Sequence, residues 1–475
     1  MKQTVNPYLP SYEYMPDGEP HVFGDRIYVF GSHDKFGGKE FCENDYTCWS
    51  APVDDLSDWR CEGIIYKRSQ DPTPVAPVQH YMWAPDVCQG PDGRYYLYYG
   101  LEFYNRIGVA VCDTPCGKYE FYGDVHYKDG TRYGGLPQER LRFDPGVIND
   151  NGRIYLYTGF SLEDADWLKQ LKNVYTNDYG NDVVELDKDM LTVISTPKTL
   201  LPGIGNSKGT GFEGHEFYEA SSMRKFSGKY YAVYSSVLSH ELAYAVSDYP
   251  DRDFVFGGSL YSNGFDKDDK LVNYWGNNHG SIEKINGKYY IFGHRQTNKN
   301  ECTRQGIAEP IEFKDGKFMF AEMTSMGPMG KPLSCKCEYE AGIACVLMSK
   351  NGACKTTNVP EQGHPFITQD GEDREDSPAQ YISNFCDGCV AGYKYFDLGK
   401  STDCTLTIRG TNGKNAEGVV EIADNESFHN ASKIKISINE KTDISALINT
   451  CGGKKPLYIR YSGVGSIDIL KIKLS

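Results

Sequence analysis

The chain has 475 residues and a formal net charge of −15 at pH 7. That length exceeds what one ordinary hydrophobic core supports, so two domains are expected. The net charge is negative and the sequence has no cluster of basic residues, which argues against a nucleic-acid-binding protein. No run approaches 18 apolar residues, so no membrane span is expected.

Tyrosine and glycine are abundant, with 36 and 50 copies, and this composition favours short strands joined by tight turns. Residues 1–7 contain no apolar signal segment, and the fifteen cysteines are scattered without the spacing of a disulfide framework. Both features predict a cytoplasmic protein with reduced thiols. The one CxxC motif, Cys386 to Cys389, is expected to be structural, with metal or redox chemistry as the alternatives.

One phrase occurs five times in the first two thirds of the chain. Each copy has a turn dipeptide, a basic residue and a run of aromatic and β-branched residues, and the basic residues are Arg26, Arg94, Arg153, Lys229 and Lys288. A sequence of this kind is typical of a hairpin turn followed by a strand. A repeat of roughly 60–75 residues matches a four-stranded blade with long loops. The sequence therefore predicts an all-β, five-bladed β-propeller; five unrelated hairpins in a sandwich are the alternative.

A polar residue stands eight to ten positions before each of these basic residues. The five are Asp17, Asp86, Asp144, Glu219 and His279. Innermost strands line the central channel of a propeller, so these side chains are expected to meet in one cavity. Clustered carboxylates repel one another and raise at least one pKa, and a glycosidase needs that arrangement for an acid and a base. Turn formation by Asp-Gly or Asp-Pro is the alternative at any single position.

At these residues the chain resembles glycoside hydrolase family 43, a group of inverting enzymes that act on arabinose- and xylose-containing polysaccharides. The resemblance covers about residues 6 to 325, and its anchors are segments 6–10, 83–86, 143–147, 217–222 and 278–281. It implies that Asp17 is the general base, that Glu219 is the general acid, and that Asp144 orients Glu219 and modulates its pKa. Inversion predicts a separation of ~6.5–9.5 Å between the Asp17 and Glu219 carboxyls.

The chain departs from the family's usual motif at two positions. The base is usually followed by Pro, but Asp17 is followed by Gly18 and Glu19, so Glu19 is an alternative base. The acid is often followed by Gly-Pro, but Glu219 is followed by Ala220, and Glu213 and Glu216 are alternative acids. Register with the repeats favours Glu219 as the acid.

Four further residues are candidates for substrate binding: Trp83, Asp86, His279 and Arg295. An indole face stacks on a sugar ring, whereas packing between blades is the alternative for Trp83. Asp86 could instead form a turn, and Arg295 could be solvated. The resemblance implies no cofactor for hydrolysis, but the histidine that matches His279 can hold one structural calcium ion in the central channel, largely through water.

The repeats end near residue 328, and residues 329–475 contain alternating strand patterns such as 405–410 and 434–438. These patterns predict a second domain, a jelly-roll-like β-sandwich. Its position resembles that of family 6 carbohydrate-binding modules, and a purely structural sandwich is the alternative.

The expected function is hydrolysis of terminal arabinofuranosyl or xylosyl residues from plant-derived oligosaccharides. A galactan- or arabinan-cleaving enzyme and a non-catalytic carbohydrate-binding propeller are the alternatives. Loops 33–49, 122–142 and 161–182 are expected to shape the pocket. The sequence does not determine the sugar, exo or endo action, or the oligomeric state.

Overall fold

The computed structural model describes residues 4–74, 80–102, 104–137, 139–162, 178–375 and 379–475, so most of loop 161–182 lies outside the described residues. Within these ranges, Val359–Gln362 is the one α-helix, and the short 3₁₀ turns are Arg68–Gln70, Ile204–Asn206, Ala341–Ile343, Thr356–Asn358 and Thr411–Gly413. None of these described helices is long and apolar enough to cross a membrane.

The first part of the chain forms five sheets in chain order, which we call blades one to five. Blade one contains β1 (Glu19–Phe23), β2 (Arg26–Phe30), β3 (Tyr46–Pro52) and β4 (Arg60–Tyr66). Blade two contains β5 (Met82–Gln89), β6 (Tyr95–Leu101), β7 (Tyr104–Cys112) and β8 (Glu120–Asp124). Blade three contains β9 (His126–Tyr127), β10 (Gly146–Asp150), β11 (Arg153–Thr158), β12 (Asp182–Leu186), β13 (Thr192–Val193) and β14 (Lys198–Thr199). Blades four and five contain β15 (Phe217–Phe226), β16 (Lys229–Ser236), β17 (Glu241–Ser247), β18 (Val255–Ser262) and β19 (Ile282–Ile285), β20 (Lys288–Gln296), β21 (Arg304–Ile311), followed by the hairpin β22 (Phe313–Lys314) and β23 (Lys317–Phe318).

The repeated phrase forms the first hairpin of every blade. Two-residue turns join the first two strands of blades one, three, four and five. In blade three, Asn151 and Gly152 have φ values of 54° and 87°, which is the left-handed geometry that two-residue hairpins require. Asparagine and glycine tolerate this backbone, and the repeated turn dipeptides are explained by that tolerance.

The innermost strands close into a ring. Strand β1 contacts both β5 and β19, β5 contacts β10, and β10 contacts β15. The Ser222 and Ser281 hydroxyl oxygens lie at a hydrogen-bond distance of 2.8 Å and join blades four and five. A bridge between Gly18 and Gly280 joins the first and last blades. The fold is the five-bladed propeller that the repeats predict.

The second part of the chain folds as two facing six-stranded sheets. One sheet contains β24 (Leu333–Ser334), β26 (Val346–Met348), β29 (Val390–Leu398), β31 (Ala416–Ala423), β32 (Ser432–Ile438) and β34 (Gly453–Val464). The other contains β25 (Glu338–Glu340), β27 (Phe366–Gln369), β28 (Gln380–Phe385), β30 (Ser401–Gly410), β33 (Thr442–Asn449) and β35 (Ile467–Leu474). Alternate side chains of both sheets fill one apolar core, as in a β-sandwich.

The sandwich packs closely against the propeller. One apolar cluster joins Tyr261 and Phe318 of the propeller to Val346 and Tyr458 of the sandwich. Backbone bonds also cross the junction; Leu347, for example, donates to Val272 at 2.9 Å. The domain boundary predicted at residue 328 lies in the segment between β23 and β24.

We expect a fragment that ends at residue 328 to be much less stable than the whole chain, because truncation exposes the apolar cluster shared by the two domains. A loss of several kcal/mol corresponds to a fall of about 10 °C or more in Tm. Differential scanning calorimetry of both proteins measures this difference. Equal Tm values for the two proteins would contradict a shared core.

Candidate active site

Strand register sorts the channel-lining residues into layers. In each blade, the residue four positions after the repeated basic residue pairs with one residue of the innermost strand or the residue just before it. We call these five partners the middle layer: Glu19, Asp86, Gly146, Ser222 and Ser281. The next level toward the channel mouth, the upper layer, contains Asp17, Ala84, Asp144, Glu219 and His279. Four of the five polar residues that were predicted to meet are therefore at one level.

The backbone is locally unusual at all three carboxylates. Asp17 and Asp144 have φ values of 57° and 42°, and a β-bulge with φ of 68° at Ala220 follows Glu219. Residues other than glycine rarely adopt positive φ, and such strain concentrates at functional sites. The bulge adds one residue to β15, which explains why Glu219 stands ten positions before its basic residue and still reaches the upper layer.

The upper layer forms the base of a cavity of about 410 Å³. This volume is within the usual range for small-ligand pockets. Asp17, Asp144, Glu219, His279 and Trp83 all line the cavity. The other lining residues are Glu40, Phe41, Cys42, Ala84, Glu102, Phe143, Phe160, Tyr218, Ser239, Asn277, Glu301, Arg304 and Lys355. The mixture of aromatic walls and polar groups suits a ligand with apolar ring faces and many hydroxyls.

Asp17 is held in its ionised form. Burial opposes ionisation, but Arg304, whose Nη1 lies 3.0 Å from Asp17 Oδ1, together with His294 and His279 outweighs it and lowers the Asp17 pKa well below its usual range. His294 donates from Nε2 to the Asn277 carbonyl at 2.7 Å, so the tautomer assigned by this bond lets Nδ1 accept the Asp17 N–H at 3.3 Å. An ionised carboxylate fixed in this way can accept a proton from water.

His279 lies between two carboxylates. Its Nδ1 is 3.4 Å from Asp144 Oδ2, and its Nε2 is 3.4 Å from Glu19 Oε1. Burial would lower the His279 pKa, but these two carboxylates raise it well above its usual value, so the ring is a cation. Burial in turn raises the pKa of Asp144, and His279 opposes that shift.

Glu219 has the opposite electrostatic environment to Asp17. Burial, followed by repulsion from Asp144, raises the Glu219 pKa to about 8. His279 and Arg304 reduce this shift without reversing it. Glu219 therefore carries a proton at neutral pH, while Asp17 does not, and this difference separates an acid from a base.

We expect kcat/KM to fall as pH rises through about 8, because Glu219 loses its proton there. The acidic limb lies below the usual Asp range, because the lowered pKa keeps Asp17 ionised. Initial rates measured between about pH 3 and pH 10 give this profile. A profile that rises from pH 7 to pH 9 would contradict a protonated Glu219.

Two of the predicted substrate-binding residues lie outside the cavity lining. Asp86 belongs to the middle layer because the β5–β6 turn is one residue longer than the other turns, which places Ala84 at the upper level. Both Asp86 oxygens are engaged, by His21 at 2.6 Å and by the Val147 N–H at 2.8 Å. The prediction that Asp86 binds substrate is therefore corrected: through these two bonds Asp86 joins three blades.

Arg295 is also corrected. The side chain is 2% exposed and donates to Gln305 at 2.9 Å and to the Ala344 carbonyl at 3.3 Å. It lies on the side of β20 that faces the sandwich, so it is neither solvated nor available to a sugar in the cavity. Alternation of side chains along the strand explains this, because its neighbour His294 faces Asp17.

The alternative catalytic residues also lie outside the cavity lining. Glu19 is buried in the middle layer against Arg224, at 2.7 Å. Glu213 is exposed and accepts the Gly211 N–H at 2.9 Å, and Glu216 accepts from Ser207 at 2.9 Å. These contacts leave Asp17 and Glu219 as the base and acid candidates that line the cavity.

Sequence reasoning missed two cationic residues of the cavity. Arg304, on β21, binds both Asp17 and Asp34, but the repeated phrase covers only the first hairpin of each blade and does not extend to the third strand. Lys355 belongs to the sandwich and reaches the cavity opposite Glu301, at 3.6 Å. Neither residue stood out in the sequence, because β21 also contains Gln305 and the charged Glu309, and Lys355 lies in the other domain.

The channel residues do not fit a calcium ion. Glu19, His21 and Asp86 come within 4.8 Å of one another, but calcium takes six to eight oxygen ligands, waters included, and two carboxylates are the only oxygen donors of this group. Here Glu19 Oε2 accepts from Arg224 and Ser222, and both Asp86 oxygens are engaged. Both ring nitrogens of His279, the predicted ligand, face carboxylates, with Nδ1 3.4 Å from Asp144 and Nε2 3.4 Å from Glu19. The prediction of a calcium ion held by His279 is therefore not supported by these residues.

Known proteins resemble this chain over its full length. The sequence profile of "Glycosyl hydrolases family 43" matches residues 13–318. A protein named xylosidase/arabinosidase from Thermoclostridium stercorarium is 44% identical over 484 residues, which cover 100% of this chain and 99% of that protein.

Solved structures give the same result. A β-xylosidase/α-arabinofuranosidase from a compost microbial metagenome, solved with xylotriose in a calcium-free form, is 26% identical with a TM-score of 0.52 and covers 66% of this chain and 96% of its own. An arabinoxylan arabinofuranohydrolase from Bacillus subtilis, at 15% identity and a TM-score of 0.50, shares the fold over 99% of this chain and 97% of its own. The profile match, the full-length relative and the carboxylate cavity agree, and the chain belongs to glycoside hydrolase family 43.

Proposed function

We propose that this chain is an inverting, exo-acting glycosidase that removes terminal α-L-arabinofuranosyl or β-D-xylosyl residues from oligosaccharides. The observation that carries the proposal is the pair Asp17 and Glu219, which line one cavity and have pKa values shifted in opposite directions. A binding protein needs no such acid and base, so this pair favours an enzyme over a non-catalytic propeller.

In the proposed reaction, Glu219 protonates the glycosidic oxygen as the bond to the leaving sugar breaks. Asp17 removes a proton from a water molecule that attacks the anomeric carbon from the opposite face. Asp144 contributes through its charge, since it raises the pKa of Glu219. Arg304 keeps Asp17 ionised, and Trp83 with Phe143 offers an aromatic wall. Hydrolysis by this route requires no cofactor.

Similarity to named relatives supports the choice of sugar. The relatives from Thermoclostridium stercorarium and Bacteroides ovatus, at 44% and 30% identity, are both named xylosidase/arabinosidase. The structure with xylotriose is a relative that binds a xylose oligomer. An arabinanase from Thermotoga petrophila, at 24% identity, is a weaker match, so arabinan cleavage is the second candidate.

For the sandwich we propose a structural role rather than independent carbohydrate binding. Its shared core with the propeller and the position of Lys355 in the cavity support this role. We also propose a cytoplasmic location, because the fifteen cysteines carry free thiols. The CxxC pair has its sulfurs 3.6 Å apart, and among the described residues no third ligand completes a metal site there.

The test is an assay of the purified protein on 4-nitrophenyl α-L-arabinofuranoside and 4-nitrophenyl β-D-xylopyranoside, followed by xylobiose and arabinosylated xylo-oligosaccharides. Release of a single terminal sugar supports the proposal and identifies the preferred residue. Activity on linear arabinan alone would favour the second candidate. Binding without turnover of any of these substrates would favour the non-catalytic propeller.

A further inference from the structure

The channel beneath the catalytic carboxylates contains a buried arginine. Arg224 belongs to β15 and is 5% exposed. It lies two residues beyond Ser222, at the level we call the lower layer, which also contains His21, Cys88, Ile148 and Glu283. An arginine at such a depth needs compensating negative charge.

Acidic groups of three blades surround Arg224. Its Nη2 donates to Glu19 Oε2 at 2.7 Å, and its Nε lies 3.5 Å from Glu283 Oε2. Asp86 also experiences the positive charge of Arg224. The guanidinium donates further to the Pro20 carbonyl at 2.9 Å and to the Met223 carbonyl at 2.9 Å. Arg224 thus joins blade four to blade one through directional hydrogen bonds, and to blade five through a longer ion pair with Glu283.

A chain of charges leads from Arg224 to the catalytic acid. Glu19, which Arg224 binds, faces His279 at 3.4 Å, and His279 faces Asp144 at 3.4 Å. Asp144 is the charged neighbour that most strongly raises the pKa of Glu219. Carboxylates and cations alternate along this path, so each group is held by the opposite charge of the next.

We propose that Arg224 is the built-in cation of the propeller channel, occupying the electrostatic role that a bound divalent cation would otherwise fill. It offsets the negative charge around Glu19, Asp86 and Glu283 and thereby keeps His279 and Asp144 in place beside Glu219, at the same level of the channel. Arg224 is a positioning residue, since it acts through Glu19 and His279 and does not line the cavity. The wild-type protein consequently needs no added metal ion.

The test compares the wild type with Arg224→Met, which removes the charge, and Arg224→Lys, which keeps it. Arg153→Met is the matched control, because it removes the same charge from an exposed ion pair with Glu185. Each protein is treated with EDTA and dialysed. Calcium binding is then measured by titration calorimetry, Tm is measured with and without millimolar CaCl₂, and kcat/KM is measured on the preferred aryl glycoside.

For the wild type and Arg153→Met we expect no calcium binding and no change in Tm or kcat/KM on addition of EDTA or calcium. For Arg224→Met we expect a fall in kcat/KM on the order of 10²-fold, because catalytic groups move when their support is lost. This variant should also bind calcium, gain Tm with it and recover part of its activity. Arg224→Lys should retain most of the wild-type kcat/KM.

Three results would overturn the inference: calcium binding or EDTA inactivation of the wild type, equal losses in the Lys and Met variants, or an Arg224→Met protein that binds no calcium. Should Arg224→Met fail to fold, the wild-type and Arg224→Lys measurements still decide the question. Calorimetry and Tm need no substrate, so a wrong assignment of the sugar leaves this test intact.

Discussion

Replacement of Glu219 by Gln should lower kcat on xylobiose or an arabinosylated xylo-oligosaccharide by about 10²–10⁴-fold, the usual contribution of a general acid. The amide has nearly the same shape but cannot deliver a proton to the leaving oxygen. On a 4-nitrophenyl glycoside the loss should be much smaller, since nitrophenolate departs without protonation. The pH profile of the variant on that substrate should also lose its fall near pH 8, because the group with a pKa of about 8 is gone.

The matched control is Glu213→Gln. Glu213 lies in the same loop-to-strand segment, is exposed and stays outside the cavity. This variant should match the wild type on both substrates. A Glu219→Gln enzyme with equal losses on both substrates would contradict the role of Glu219 as the acid, because proton delivery matters only for the poor leaving group.

The repeats predicted the propeller because each blade begins with the same local structure, a tight hairpin turn between two strands. A two-residue hairpin turn needs residues that accept positive φ, and the next strand needs aromatic and β-branched side chains. The dipeptides Asn151-Gly152 and Asn286-Gly287 satisfy the first need. Local chemistry of this kind can be read from sequence alone.

Counting from the repeats was less reliable for individual side chains. Asp86 was counted into the cavity, but one extra residue in its turn moved it to the middle layer, while the bulge after Glu219 compensated for a similar offset. Register depends on each insertion, and a shift of two residues changes the depth of a side chain in the channel without changing its face. Arg295 was misplaced for the complementary reason, because its face of β20 packs on the sandwich.

The residues that sequence reasoning missed are joined to the site only by tertiary contacts. Arg304 reaches Asp17 across 287 positions of the chain, and Arg224 reaches Glu19 across 205. Lys355 comes from the other domain. No local sequence pattern predicts such partners, yet one of them, Arg304, exerts the largest charge effect that lowers the pKa of Asp17.

Replacement of Asp17 by Asn should lower kcat by about 10²–10⁴-fold on both the aryl glycoside and the disaccharide, because both need an activated water molecule. This uniform loss distinguishes a base from an acid, whose removal affects mainly the substrate with the poor leaving group. Proton NMR of the wild-type reaction should show that the first product has the anomeric configuration opposite to that of the substrate.

Glu19→Gln tests the alternative base. Azide is a small anion that attacks without losing a proton, so it should raise the turnover of Asp17→Asn and leave that of Glu19→Gln unchanged. Rescue of Glu19→Gln instead would transfer the role of the base to Glu19, in conflict with its burial against Arg224. Retained configuration in the NMR experiment would reject water activation by Asp17 altogether, since retention requires a carboxylate that attacks the sugar directly.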